Sequence, residues 1–137
     1  MPYKFERLEV WQLALDYIDQ IYGVAEALPK REEYNLKSQM TRAATSIALN
    51  IAEGSTSQSD AEQRRFLGMA LRSLIETVAC LHLISRRAYL SDLQPLRDAY
   101  TASTKLFAKL QAFRAALGGN TLKEESVAYT VGEAMPF

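Results

Sequence analysis

The chain has 137 residues, 48% hydrophobic and 23% charged, a balance that fits one globular domain around one core. Its 16 basic and 16 acidic residues cancel, which argues against strong non-specific nucleic-acid binding by a monomer and leaves room for a basic patch offset by acid elsewhere. No apolar run approaches the roughly 18 residues of a membrane span, and Met-Pro-Tyr-Lys-Phe-Glu-Arg at the start lacks a signal-peptide core, so a cytoplasmic protein without a membrane partner is expected.

Taken in order, the sequence predicts four helices. The first runs from Glu9 to Leu28, with Trp11, Ala14, Leu15, Ile18, Ile21, Tyr22, Ala25 and Leu28 as its apolar stripe. Pro29 stops it, and Lys30 to Tyr34 is a short charged turn. The second runs from about Asn35 to Glu53, with Gly54 as the closing glycine. Ser55-Thr-Ser-Gln-Ser reads as a turn, because it lacks the lysine and preceding strand of a phosphate loop. Ser59 and Glu62 form a capping box for a third helix reaching about Ala88. Its inward residues are Phe66, Ala70, Ser73, Leu74, Thr77, Leu81 and Ile84. Ser91 and Gln94 repeat the device for a fourth helix ending near Leu117. Leu93, Leu96, Tyr100, Ser103, Leu106, Phe107, Leu110 and Phe113 point inward, and Gly118-Gly119 ends the helix. Four amphipathic helices with short connections predict an all-α, antiparallel up-down-up-down four-helix bundle over residues 1–119. Residues 120–137 read as a tail, mobile or docking on a neighbouring subunit.

The second helix carries two stripes. Leu36, Met40, Ala43, Ile47 and Ile51 form its apolar face. Gln39, Arg42, Ser46, Asn50 and Glu53 recur beside it, centred about 90° away, where neighbouring helices meet. With Ser73 and Glu76 of helix three they make a polar seam. The structural reading is that these groups satisfy one another and fix register, with Arg42 and Glu76 a possible pair across helices. The sharper reading is a ligand or catalytic site.

No catalytic, metal-binding or cofactor-binding residue is expected. Zinc needs several Cys or His ligands, and the chain has one of each, Cys80 and His82. A bundle di-metal site needs Glu-x-x-His pairs, and no glutamate stands three residues before His82. Cys80 lies in an apolar helical pattern and reads as a core residue. Among the basic residues, Arg65, Arg72 and Arg86 sit at multiples of seven on the outer side of helix three, with Arg64 and Arg87 beside them. They form either a solvated face with weak ion pairs, or a phosphate-binding strip or subunit seam.

Gln39-x-x-Arg42-Ala43-Ala44-x-Ser46-Ile47-x-x-Asn50-Ile51-Ala52-Glu53-Gly54 resembles the signature of small bacterial four-helix-bundle proteins. That family is named for intervening sequences in 23S ribosomal RNA genes and includes the accessory proteins of diversity-generating retroelements. Leu8-Glu9-Val10-Trp11-Gln12-x-Ala14 resembles its first-helix opening, and Phe66-Leu67-x-x-Ala70-x-x-Ser73-Leu74-x-Glu76-Thr77 its third-helix motif. The likeness covers about residues 5 to 117, with two departures: Ala48 and Arg72 stand where members often have proline and glycine. It implies a homopentameric ring with a central channel. The leading reading is a non-enzymatic assembly and interaction protein; by resemblance its partner is structured RNA or an RNA-handling enzyme such as a reverse transcriptase, bound by avidity of repeated basic sites. Two alternatives are a protein-only scaffold and an enzyme with a site along Arg42, Asn50, Glu53 and Glu76.

Overall fold

The computed structural model describes residues 2–118 and 134–137. It is all-α, with four helices and no strand among the described residues: α1 (Glu9–Glu26), α2 (Leu36–Gly54), α3 (Asp60–Arg86) and α4 (Gln94–Ala116). Two 3₁₀ turns, Lys4–Arg7 and Lys30–Glu32, precede α1 and α2. α1 packs on α2 and α4, and α3 packs on the same two, closing a ring of four contacts around one core.

On α2 the sequence pattern is fully realised: Leu36, Met40, Ala43, Ile47 and Ile51 are all buried. On α1 the phase differs. The buried residues are Val10, Ala14, Tyr17, Ile21, Val24 and Ala25. Leu15 and Tyr22, expected inside, are exposed, while Trp11 and Ile18 are half-buried. The cause is a second apolar row one residue, or about 100°, out of phase with the first. In α3 the core takes Gln63, Leu67 and Leu71 besides the expected Ala70, Leu74, Thr77, Cys80, Leu81 and Ile84. Phe66 and Ser73 stay at the boundary. In α4, Leu96, Ala99, Ser103, Leu106 and Leu110 are buried, with Tyr100, Phe107 and Phe113 at the edge of the core.

Although the sequence offers no uninterrupted apolar run of membrane-spanning length, α3 is long and apolar enough by length and composition to cross a membrane, with under half of its most apolar 18 residues buried. Its apolar residues line two sides. Leu67, Leu71, Leu74, Leu81 and Ile84 face the core, while Ile75 and Leu83 face outward. Its place between α2 and α4 is that of a core helix with an additional apolar face.

The helix ends differ from expectation in two places. Gly54 is the last residue of α2, not a left-handed residue beyond it. It is small because a Cβ there would lie 3.0 Å from the Cβ of Phe66. α4 starts without a serine cap: Leu93 is its first flanking residue, and the Asp92 carboxylate accepts from the Gln94 N–H at 3.0 Å. The Ser59 cap does form, its hydroxyl accepting from the Glu62 N–H at 3.1 Å. Two residues past the end of α3 stands Ala88, the one non-glycine residue with positive φ among those described (56°). The Tyr89 N–H reaches the Ile84 carbonyl and the Ala88 N–H reaches that of Ser85, the pattern usually built on glycine. Ala88→Gly is therefore expected to raise stability by about 1 kcal/mol, the penalty for a Cβ in the left-handed region. Chemical denaturation reads it as a higher midpoint with an unchanged slope.

Candidate functional site

The polar stripe of α2 divides. Ser46 and Asn50 join Ser73 of α3 in one small network. The Ser73 hydroxyl donates to Ser46 Oγ at 3.0 Å, and Asn50 Nδ2 donates to the Ser46 carbonyl at 2.9 Å and to its Oγ at 3.0 Å. This is the seam the spacing suggested, and it ties α2 to α3. Gln39, Arg42, Glu53 and Glu76 are exposed and outside it. Gln39 donates to Asn35 Oδ1 at 3.1 Å and Arg42 to Ser38 Oγ at 3.0 Å, both along α2 itself. Among the described residues no ion pair joins Arg42 to Glu76. The arginine satisfies itself one turn back, as residues four apart on a helix do.

The same stripe lines an open surface groove of about 590 Å³. Tyr22 from α1 forms one side, its hydroxyl 3.2 Å from Thr45 Oγ1. Arg42, Ser46, Leu49, Asn50 and Glu53 form the other. The groove is shallow and mixed in polarity, with hydroxyl, amide and aromatic groups that suit a protein side chain.

Two outer rows stand out. On α1, Gln12, Leu15, Asp19, Tyr22 and Glu26 recur at steps of three and four and are all exposed. α1 contains four acids, Glu9, Asp16, Asp19 and Glu26, and no lysine or arginine. On α3, Arg65, Arg72, Ile75, Ala79, Leu83 and Arg86 form the corresponding row, also all exposed. Arg65 to Arg86 spans about 31 Å at the helical rise. Glu9 and Glu26 are already in ion pairs, with Lys109 at 3.4 Å and Lys37 at 3.6 Å. Among the described residues, no ion pair takes up Asp16, Asp19, Arg65, Arg72 or Arg86. One helix thus offers an acidic–apolar face and another a basic–apolar face.

Arg64 and Arg87 do not belong to that open row. Arg64 is half-buried, and its Nη1 donates to the Leu117 carbonyl at the end of α4 at 3.2 Å. Arg114 Nε in turn donates to the Arg64 carbonyl, also at 3.2 Å. These arginines fasten α3 to α4. Arg87, just past α3, contributes its charge to Glu32.

Glu32 is the polar group that sequence reasoning missed. The supposed turn residue is buried. Its Oε2 accepts from the Tyr89 hydroxyl at 2.5 Å, and its Oε1 accepts from Asn35 Nδ2 at 2.9 Å and the Leu36 N–H at 3.3 Å. It thereby caps the first turn of α2, where a carboxylate is favoured by the helix dipole. The Tyr89 hydrogen bond first, then the Leu36 N–H and Asn35, hold its carboxyl below the usual range against the opposing effect of desolvation. The sign follows. A carboxyl depressed in the folded state adds stability that is present above its unfolded pKa and lost as pH falls through the lower folded value. Tyr89→Phe is expected to lower the melting temperature at pH 7, with the gap to wild type narrowing below about pH 4. A gap independent of pH would show that the hydroxyl acts without the charge.

Comparison with known proteins bears on the whole frame. No curated protein matches the chain in sequence. A crystal structure of a protein of unknown function from the S23 ribosomal protein family of Bacteroides thetaiotaomicron is similar to it at 26% identity and a TM-score of 0.70. The likeness covers 77% of this chain and 97% of that one. The sequence profile of the 23S rRNA-intervening sequence proteins matches residues 6–111, which takes in α1, α2, the Ser46–Ser73 seam, α3 and most of α4. The chain belongs to the 23S rRNA-intervening sequence protein family.

Proposed function

We propose that this protein is a small, non-enzymatic cytosolic assembly and interaction protein, an antiparallel bundle that joins head to tail into a closed homo-oligomeric ring. The observation that carries the reading is the pairing of an acidic–apolar row on α1 with a basic–apolar row on α3. A ring needs two different, complementary patches on every copy. Here Leu15 and Tyr22 would supply apolar contact on one side, and Ile75 and Leu83 on the other. Asp19 against Arg72 or its neighbours would set the direction. Five copies, the number that the resemblance implies, would close such a ring. The groove beside Tyr22 gives a neighbouring helix a place to seat.

The test uses two charge reversals. Arg72→Glu breaks one patch and Asp19→Arg the other, each expected to weaken association by about tenfold or more. Native mass spectrometry of each variant alone should show loss of the ring. Mixing the two should bring larger assemblies back, because the unchanged patches meet each other and the two reversed charges attract across the alternate seam. Wild-type mass for both single variants would overturn the reading.

A second reading is favoured by the arginines that no ion pair takes up among the described residues: the α3 row faces a polyanion such as structured RNA instead of a neighbour, and a ring closed through other faces multiplies weak phosphate contacts. It predicts binding that weakens steeply with salt and a smaller slope for Arg65→Glu at unchanged oligomer mass. Weak binding by an intact ring would leave a protein partner, such as an RNA-handling enzyme, as the ligand.

A further inference from the structure

Of the described segment beyond the bundle, Ala134–Phe137, the last residue packs on the chain's own helices while the three before it are exposed. The rest of the tail that the sequence reads as mobile or docking on a neighbouring subunit, residues 120–133, falls outside the described residues. The Phe137 ring meets His82 of α3 edge-on at 5.2 Å between centroids and Tyr100 of α4 at 5.7 Å. His82 and Tyr100 are themselves edge-on at 6.3 Å. Arg97 Nε donates to the Phe137 carbonyl oxygen at 2.8 Å. One aromatic side chain is thus held by two rings, and the main chain beside it by a guanidinium. The Pro136 ring fixes φ ahead of Phe137, so less freedom is lost on docking.

We propose that the α3–α4 surface at His82, Arg97 and Tyr100 is a peptide-recognition site for a proline–aromatic segment, with Met135–Phe137 as its ligand, held in cis. Every group that grips the segment stands on a helix, so the site is formed before its ligand arrives. Chain length permits the return. Tyr100 to Gly118 is about 27 Å along α4, and the fifteen residues 119–133 can span about 50 Å. A tether of that length supplies roughly millimolar effective concentration. A segment with an intrinsic Kd of about 0.1 mM would then fill the site about nine-tenths of the time, and a competing peptide would bind about tenfold more weakly. This α3–α4 surface is thus one that the chain itself masks.

His82 is the protein's single histidine, so its ring protons give an isolated NMR signal next to Phe137. In the full-length protein that signal should be ring-current shifted. Phe137→Ala should move it toward an unshifted position, and the added hexapeptide Gly-Glu-Ala-Met-Pro-Phe should restore it. The labelled hexapeptide should bind Phe137→Ala about tenfold tighter than wild type, and adding Arg97→Ala should remove that binding. Phe137→Leu, which keeps an apolar side chain, serves as the folded control and should also lose the shift. A His82 signal that is the same in wild type and both variants would overturn the proposal, as would hexapeptide binding equally to wild type and Phe137→Ala, or to neither.

Discussion

Tyr17→Ala is expected to remove about 3–5 kcal/mol of stability, the range for truncating a large buried aromatic residue, out of a total of about 5–15 for a domain of this kind. Tyr17 is fully buried on α1. Its hydroxyl crosses the core to Thr77 Oγ1 on α3 at 2.7 Å. The Thr77 hydroxyl donates to the Leu74 carbonyl at 2.6 Å, which uses its only proton, so Tyr17 must be the donor between them. Burial first, and then Cys80, push the phenol well above its ordinary pKa against the lowering effect of the Thr77 hydrogen bond. It stays neutral and keeps that proton across the stable range. The cycle separates packing from polarity. Thr77→Val strands a buried donor and should cost about 1–3 kcal/mol, whereas Tyr17→Phe with Thr77→Val should cost less than the two single changes summed. Urea denaturation of the four proteins reads the coupling; strict additivity would mean that the hydrogen bond contributes nothing net.

Gly54→Leu is the second large effect, expected at about 1–3 kcal/mol or more through overpacking. A bare Cβ at this position already sits 3.0 Å from the Phe66 Cβ and 3.7 Å from Gln63, and a branched side chain would have to push α2 and α3 apart. The seam just above depends on that spacing, so the Ser46–Ser73 hydrogen bond should weaken with it. Gly54→Leu combined with Phe66→Ala should recover part of the loss. No recovery would place the strain elsewhere.

The fold was legible because α2 and α4 each carry one dominant stripe, α3 keeps its inward residues at helical spacing despite a second apolar side, and Pro29, Ser59 and the serine-rich turn mark their limits. α1 was legible as a helix but not in its orientation. Periodicity finds apolar rows, and α1 has two, so sequence alone does not say which row faces the chain's own core. The polar seam was half legible. Ser46, Asn50 and Ser73 have short side chains that can meet only where two helices touch. Arg42 and Glu76 are long enough to find other solutions, and the arginine bonds within its helix. Glu32 was read as a turn residue because the hydroxyl that explains its burial is 57 positions away at Tyr89. Phe137 gave no periodic signal, since its site is assembled from His82, Arg97 and Tyr100 on two helices.

The tight meeting of α2 and α3 has a consequence for how the chain folds. Gly54 meets Phe66 across 12 positions and Ser46 meets Ser73 across 27, whereas Tyr17 reaches Thr77 across 60 and Arg64 reaches Leu117 across 53. Closing the five-residue connection between Gly54 and Asp60 costs little chain entropy, and each larger loop costs more. The α2–α3 pair is thereby placed to form early, with α1 and α4 closing over it afterwards. Damage at Gly54 or Ser73 would then slow folding, while damage where Arg64 holds the end of α4 would leave the folding rate nearly unchanged and speed unfolding.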